Sequence, residues 1–185
     1  MAESMKGLKR THRCTEVSSQ NIGETVTVMG WVQKRRNLGS LIFVDLRDRS
    51  GILQLMFDEE NIGKEGKKKA GTLRSEFVVA AVGEVVKRSG AVNENLKTGD
   101  IEIKVTQLRI LSEALTPPFP IEDGITTKDE VRLKYRYLDL RRPSLQRNLM
   151  MRSKVCTSVR NFLAEEGFLE IETPILTKST PEGAR

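Results

Sequence analysis

Residues 25–57 read TVTVMGWVQKRRNLGSLIFVDLRDRSGILQLMF. Apolar residues recur at every second position of Thr25–Gln33, which predicts a strand with one buried face. Two further strand-forming runs follow, Ser40–Arg49 after a turn at Asn37-Leu38-Gly39, and Ile52–Phe57 after a turn rich in Asp, Ser and Gly. Short links of this kind between such runs predict β-hairpins. The stretch therefore predicts three successive antiparallel strands.

Two more strands are predicted downstream. A stretch rich in Gly and Lys has room for a short helix around Lys67–Leu73, and an apolar run predicts a fourth strand over Phe77–Val86. The fifth, Asp100–Ile110, alternates so regularly that one of its faces should be solvated. Five strands with a helix between the third and fourth are typical of an OB-fold, whose second and third strands form a nucleic-acid face. We expect an all-β, five-stranded OB-fold barrel.

The predicted nucleic-acid face has four candidate binding residues. Phe43 could project from the second strand as a stacking platform for a base, although its pattern also fits a core residue. Gln54 interrupts an apolar strand, where a buried unpaired amide would cost about 1–3 kcal/mol, so we expect it to face outward and pair with a base edge. Glu102 fits the solvated side of an alternating strand by default. Arg36 could meet phosphate or stack on a base.

Composition limits the classes of protein that the chain can belong to. Its 31 Lys and Arg against 25 Asp and Glu give a net charge of +6, which favours phosphate-rich partners, although Lys67-Lys68-Lys69 suits a solvated loop better. No apolar run is long enough for a membrane helix, and the N-terminus does not resemble a secretory signal. Cys14 and Cys156 fit no metal-binding spacing, so we expect free thiols, no metal site and a cytoplasmic protein.

Three prolines in Thr116–Gly124 predict a linker, because proline continues neither a strand nor a helix. We therefore place the barrel at residues 1–112, the linker at 113–127 and a second domain at 128–185. In the second domain, a capping-box pair of Thr127 and Glu130 predicts a helix over Lys128–Leu138. A longer helix is expected over Ser144–Glu166, stopped by Gly167, and a strand over Phe168–Pro174. One helix and one strand cannot bury their own apolar faces, so further chain or another subunit is expected to cover them.

Three segments carry a resemblance to a known family. Residues 162–174 (FLAEEGFLEIETP) resemble the first class-defining motif of class II aminoacyl-tRNA synthetases, a long helix, a strand and a proline at a dimer interface. Residues 132–143 (RLKYRYLDLRRP) and 177–185 (TKSTPEGAR) narrow the resemblance to the bacterial-type aspartyl-tRNA synthetases. Asparaginyl and lysyl synthetases share the architecture but differ in the last of these segments. The resemblance implies that residues 128–185 are a short α/β segment that begins a class II catalytic domain.

The resemblance also implies roles for particular residues. Phe43 would stack on an anticodon base of tRNA(Asp), while Arg36, Gln54 and Glu102 would read anticodon bases. Glu182 matches a residue that contacts the L-aspartate substrate, and a carboxylate is the natural partner of the substrate's ammonium group. Pro174 matches the interface proline.

Further expectations follow from the resemblance. Leu38 stands where family members that also charge tRNA(Asn) often carry histidine, so we expect the aspartate-only form. The full-length enzyme would be an aspartate–tRNA ligase, a homodimer that uses ATP and Mg²⁺ to form aspartyl-adenylate and then aspartyl-tRNA. The segment up to Arg185 lacks the second and third class motifs, so we expect no bound cofactor and no activation by this chain alone. A stand-alone OB-fold RNA-binding module is the main alternative, and a DNA-binding one a further alternative.

Overall fold

The computed structural model describes residues 2–176, and the chain in it divides into two compact units. The division lies between Pro117 and Pro118, inside the segment where the prolines predict a linker. We describe each unit by itself.

The first unit is a closed five-stranded barrel with one helix inserted between its third and fourth strands. Its elements are β1 (Thr25–Leu38), β2 (Leu41–Arg47), β3 (Ile52–Phe57), α1 (Glu59–Thr72), β4 (Val78–Lys87) and β5 (Ile101–Ser112). The strands pair in the order β1-β2-β3-β5-β4, and β1 closes the barrel against β4. All pairs are antiparallel except β3 with β5. The predicted OB-fold barrel is confirmed.

Strand β1 is longer than the sequence predicts. Its first half pairs with β4 and its second half with β2, and the register shifts between Val32 and Lys34. The predicted end at Gln33 is wrong because the basic residues beyond it form ladder bonds through their backbone, which side-chain polarity does not report. The predicted turn is also displaced: Leu38 pairs with Leu41, leaving Gly39 and Ser40 as a two-residue hairpin loop. Gly39 takes a φ of +77°, which such a loop requires and glycine adopts without strain.

Alternation divides each strand into an inner and an outer set of residues. On β2 and β3, the buried core inside the barrel contains Ile42, Val44, Leu46, Leu53, Leu55 and Phe57. The alternate residues of these strands therefore point away from the core, and they include Phe43 on β2 and Gln54 on β3. On β5, Ile101 and Ile103 belong to the core, so Glu102 between them also lies on the outer side. The fold thus places three of the predicted binding residues on one outer surface.

Helix α1 begins much earlier than the predicted Lys67–Leu73. Asp58 caps its N-terminus by accepting a hydrogen bond from the Asn61 amide at 2.7 Å, and Gly63, with a φ of +74°, interrupts it near the first turns. The lysine run lies on this helix, not in a loop. Lys69 donates to the Leu108 carbonyl at 2.8 Å and pairs with Glu3.

The second unit contains α2 (Asp129–Lys134), α3 (Arg136–Asp139) and α4 (Pro143–Glu165). The prediction of one helix over Lys128–Leu138 is wrong, because Tyr135 has non-helical dihedral angles and separates α2 from α3. The capping box is wrong as well: Lys128 occupies the N-cap position and makes no side-chain capping bond.

The buried carboxylate of Asp139 joins these short helices. It accepts hydrogen bonds from Arg132 (3.0 and 3.3 Å), Arg136 (3.0 Å) and Arg142 (2.7 Å). The hydrogen bond from Arg132, and then that from Arg142, hold the pKa of this carboxyl below its ordinary value. Asp123 accepts from the backbone amide and the hydroxyl of Ser144, which provides partners for the first turn of α4.

Helix α4 matches the predicted Ser144–Glu166 to within one residue at each end. It ends in a Schellman motif, in which Gly167 takes a φ of +85° and the amides of Gly167 and Phe168 donate to Ala164 and Leu163. The predicted strand over Phe168–Pro174 is wrong: these residues are exposed and irregular, and the described part of this unit contains no strand with which they could pair. None of the helices in the described part of the chain combines the length and the hydrophobicity that a membrane span requires.

Candidate nucleic-acid interface

The sheet register brings the four predicted anticodon-binding residues together. Arg36 on β1 lies opposite Phe43 on β2, and Asp45 on β2 lies opposite Gln54 on β3. Glu102 reaches Gln54 from β5, which runs parallel to β3. Residues from four strands therefore meet on the outer side of the barrel. We call the set Arg36, Phe43, Asp45, Gln54 and Glu102 the reading face.

A chain of hydrogen bonds connects the polar members of the reading face. Arg36 Nη2 donates to both Asp45 Oδ1 and Gln54 Oε1, each at 2.9 Å. Gln54 Nε2 donates to Glu102 Oε2 at 2.7 Å, and the other Glu102 oxygen accepts from the Ser89 backbone amide at 3.2 Å. The amide of Gln54 thus has its oxygen towards a cation and its nitrogen towards a carboxylate, which fixes its orientation.

The reading face is less exposed than the sequence predicts. Phe43 is 8% exposed, Gln54 is 4% exposed and Glu102 is fully buried. The expectation that Phe43 and Gln54 project freely into solvent is therefore wrong, and so is the default interpretation of Glu102 as a solvated residue. None of the three belongs to the core cluster inside the barrel, since that cluster takes the alternate residues of their strands. Their role in binding RNA stays a prediction.

Arg36 lies over the ring of Phe43. The guanidinium carbon is 5.9 Å from the ring centroid, within the range of a cation–π contact. The Arg36 side chain is 39% exposed and the Asp45 side chain 21%, so their ion pair is partly solvated and stabilises the barrel by no more than about 1 kcal/mol. Arg36 Nε is buried without a hydrogen-bond partner. The guanidinium is therefore held at one end only.

Asp45 is the member of the reading face that the sequence reasoning did not select. With a two-residue turn at Gly39–Ser40, Arg36 pairs with Phe43. This register brings its guanidinium close to the Asp45 carboxylate on the same face of β2. The missed signal was the register of the hairpin.

The remaining predicted residues lie elsewhere. Pro174 is in the exposed, irregular segment that follows α4, and Glu182 lies outside the described residues. Cys14 is a buried free thiol and Cys156 an exposed one. Within residues 2–176, no group of three or more His, Cys, Asp or Glu side chains is placed to hold a metal ion.

Comparison with known families assigns both parts of the chain. The model of OB-fold nucleic acid binding domains matches residues 26–111, which include the whole reading face. The model of class II tRNA synthetases of the D, K and N group matches residues 128–185.

The curated relatives are more specific. The aspartate–tRNA ligase of Agathobacter rectalis is 74% identical over 185 residues, which are all of this chain and 31% of that protein. The aspartate–tRNA(Asp/Asn) ligase of Lachnoclostridium phytofermentans has the same identity and coverage. This chain therefore spans about a third of the length of these relatives. Because their names differ in the tRNA they include, the inference from Leu38 stays untested.

A solved structure agrees with this assignment. The aspartyl-tRNA synthetase of Entamoeba histolytica matches with a TM-score of 0.83 at 26% identity, covering 96% of this chain and 42% of that one. Together with the curated relatives and the two family models, it supports one conclusion: along its whole length the chain is similar to one part, about a third, of the aspartate–tRNA ligases.

Proposed function

We propose that the barrel binds the anticodon loop of tRNA(Asp) through the reading face, as the recognition module of an aspartate–tRNA ligase. The observation that carries this proposal is the convergence of Arg36, Phe43, Gln54 and Glu102, which lie far apart in sequence, in one connected cluster outside the core. An aromatic ring stacks on any base, whereas amide, carboxylate and guanidinium groups discriminate between base edges.

Burial of Gln54 and Glu102 favours discrimination between a cognate base and other bases. A base that replaces the hydrogen bonds that Gln54 and Glu102 make within the reading face leaves no polar group unpaired, whereas a wrong base leaves buried donors or acceptors without partners. Such mismatches cost about 1–3 kcal/mol per group. The net charge of +6 supplies attraction to the phosphate backbone that is independent of sequence.

The rest of the enzyme's chemistry belongs to the same proposal and follows from the family. It comprises ligation of L-aspartate to tRNA(Asp) with ATP and Mg²⁺, contact of Glu182 with the aspartate substrate, homodimer formation around Pro174, and a cytoplasmic location.

The test is binding of a fluorescent tRNA(Asp) anticodon stem-loop at fixed salt. Phe43→Ala should weaken binding by about 1–3 kcal/mol, because one stacking surface is lost. Phe162→Ala removes an exposed ring from α4 and is the matched control, which should bind like the unmodified chain. Equal losses in both variants, or equally tight binding of single-stranded DNA of the same sequence, would contradict the proposal.

Gln54→Ala separates base reading from general affinity. It should reduce the preference for the cognate anticodon over single-base variants more than it reduces total binding. An identical loss for every RNA sequence would show that Gln54 does not read a base.

A further inference from the structure

The groups proposed to read a base are already bonded to one another in the absence of RNA. The Gln54 carbonyl accepts from Arg36, the Gln54 nitrogen donates to Glu102, and Glu102 also accepts from the Ser89 amide. With Gln54 only 4% exposed and Glu102 fully buried, an incoming nucleotide meets little accessible polar surface on these two residues. Access therefore requires a rearrangement on this face.

The position of Arg36 identifies the group that has to move. A base in van der Waals contact with the Phe43 ring would lie about 3.5–4.0 Å above it. The Arg36 guanidinium occupies that side of the ring with its carbon 5.9 Å from the centroid, so no room remains for a base between them. The same guanidinium holds the Gln54 carbonyl. Movement of one side chain would thus uncover both the ring and the amide oxygen.

Two observations indicate that the Arg36 side chain is only weakly held in this position. Its ionic partner, Asp45, is partly solvated, and ion pairs of this kind contribute little to stability. Its Nε is buried without a partner, so the present position leaves one donor unused. A position in which Arg36 contacts RNA phosphate or a base would offer that donor an acceptor.

We propose that Arg36 covers the reading face when no RNA is bound, that Asp45 positions it there, and that a single-stranded RNA base binds by displacing the guanidinium. The proposal rests on the proposed function and adds a positioning residue, Asp45, that opposes binding. The proposal predicts that truncating Asp45 raises RNA affinity, the opposite of what removal of an RNA-contacting residue would do. Without Asp45, Arg36 is released, and the reading face is uncovered in a larger fraction of the molecules.

The test is a double-mutant cycle on stem-loop affinity, with Asp45→Ala, Arg36→Ala and the double variant. Asp45→Ala should bind about 3- to 10-fold more tightly than the unmodified chain, on the basis that the competent fraction rises by that factor. In the Arg36→Ala background, Asp45→Ala should have no effect, since nothing remains to be held. Asp45→Asn, which keeps an acceptor but loses the charge, should lie between Asp45→Ala and the unmodified chain.

A general loss of negative charge would also strengthen RNA binding, so the control is Glu84→Ala, which removes an exposed carboxylate from β4. A gain from charge alone would appear in Glu84→Ala, would persist in the Arg36→Ala background, and would fade at high salt. Any of these results for Asp45→Ala, or weaker binding by it, would overturn the proposal.

Failure of the proposed function gives a different result, namely no specific binding of the stem-loop by the unmodified chain. If Arg36→Ala binds too weakly to close the cycle, the Arg36 Nε–H resonance in the RNA-free chain replaces it. Asp45→Ala should accelerate exchange of this proton with water, because the Nε atom then leaves its buried position. An unchanged exchange rate would overturn the positioning role of Asp45.

Discussion

The barrel and helix α4 carry the same kind of sequence signal, apolar residues at a regular spacing, and end in opposite environments. Leu55 and Phe57 of β3 are fully buried, whereas Leu149 of α4 is 46% exposed and Phe162 is 61% exposed. Periodicity specifies which face of an element is apolar. Whether that face is buried depends on a second apolar surface, which the barrel obtains by closing on itself and which α4 does not meet among the described residues.

The largest expected effect on stability comes from comparing a leucine-to-alanine substitution in the barrel core with the same substitution on α4. Leu55→Ala should lower the free energy of unfolding of the barrel by about 2–5 kcal/mol, because it leaves a cavity in a closed core. Leu149→Ala should change stability by less than about 0.5 kcal/mol, since it removes an exposed side chain and substitutes a residue of high helix propensity. Denaturant titration followed by the fluorescence of Trp31, the chain's single tryptophan, reports on the barrel. Far-ultraviolet circular dichroism reports on helix α4 in addition.

A large loss of stability in Leu149→Ala would mean that a surface outside the described contacts covers α4 in solution. Its dependence on protein concentration would then show whether a second copy of the chain supplies that surface.

A smaller effect is expected from acid, and it should differ between the two units. The pKa of Asp139 is lowered by its arginine partners, so its contribution to stability is present above about pH 4, the ordinary value for Asp, and is lost as the pH falls through the lowered value. Asp139→Asn should weaken the second unit at neutral pH and reduce its loss of structure on acidification. Near-ultraviolet circular dichroism of the chain's two tyrosines, Tyr135 and Tyr137, measures this unit.

The barrel provides the internal control for that titration. Asp48 also has a lowered pKa: burial would raise it, but hydrogen bonds from Ser50 and the Cys14 amide outweigh burial. The Trp31 signal should therefore keep its acid dependence in Asp139→Asn. If the substitution changed the tryptophan and tyrosine transitions alike, the two units would not respond independently to acid.

The sequence predicted the barrel well because its strands alternate and its turns contain Gly, Asn and Asp, which are local signals. Prediction from the sequence failed where contacts with other strands determine the structure or the environment of a residue. The segment Phe168–Pro174 has the composition of a strand but finds no strand partner among the described residues. Glu102 fits a solvated position until β3 places Gln54 beside it. The four residues predicted to bind the anticodon lie together on one surface, but their mutual hydrogen bonds depend on the register between strands, which the sequence does not report.

The smallest expected effect concerns the two thiols and extends the comparison to local motion. Cys156 lies exposed on α4, while Cys14 is buried, and burial raises the pKa of its thiol, so little thiolate is available for reaction. A soluble disulfide reagent should therefore label one cysteine of the folded chain rapidly, and Cys156→Ser should abolish that phase while changing stability by less than about 0.5 kcal/mol. Cys14 should react only when the barrel opens, at a rate that rises with denaturant together with the change in Trp31 fluorescence. Rapid labelling of Cys14 in native buffer would instead show that the 3-10 helix carrying it, Cys14–Glu16, detaches from the barrel without global unfolding.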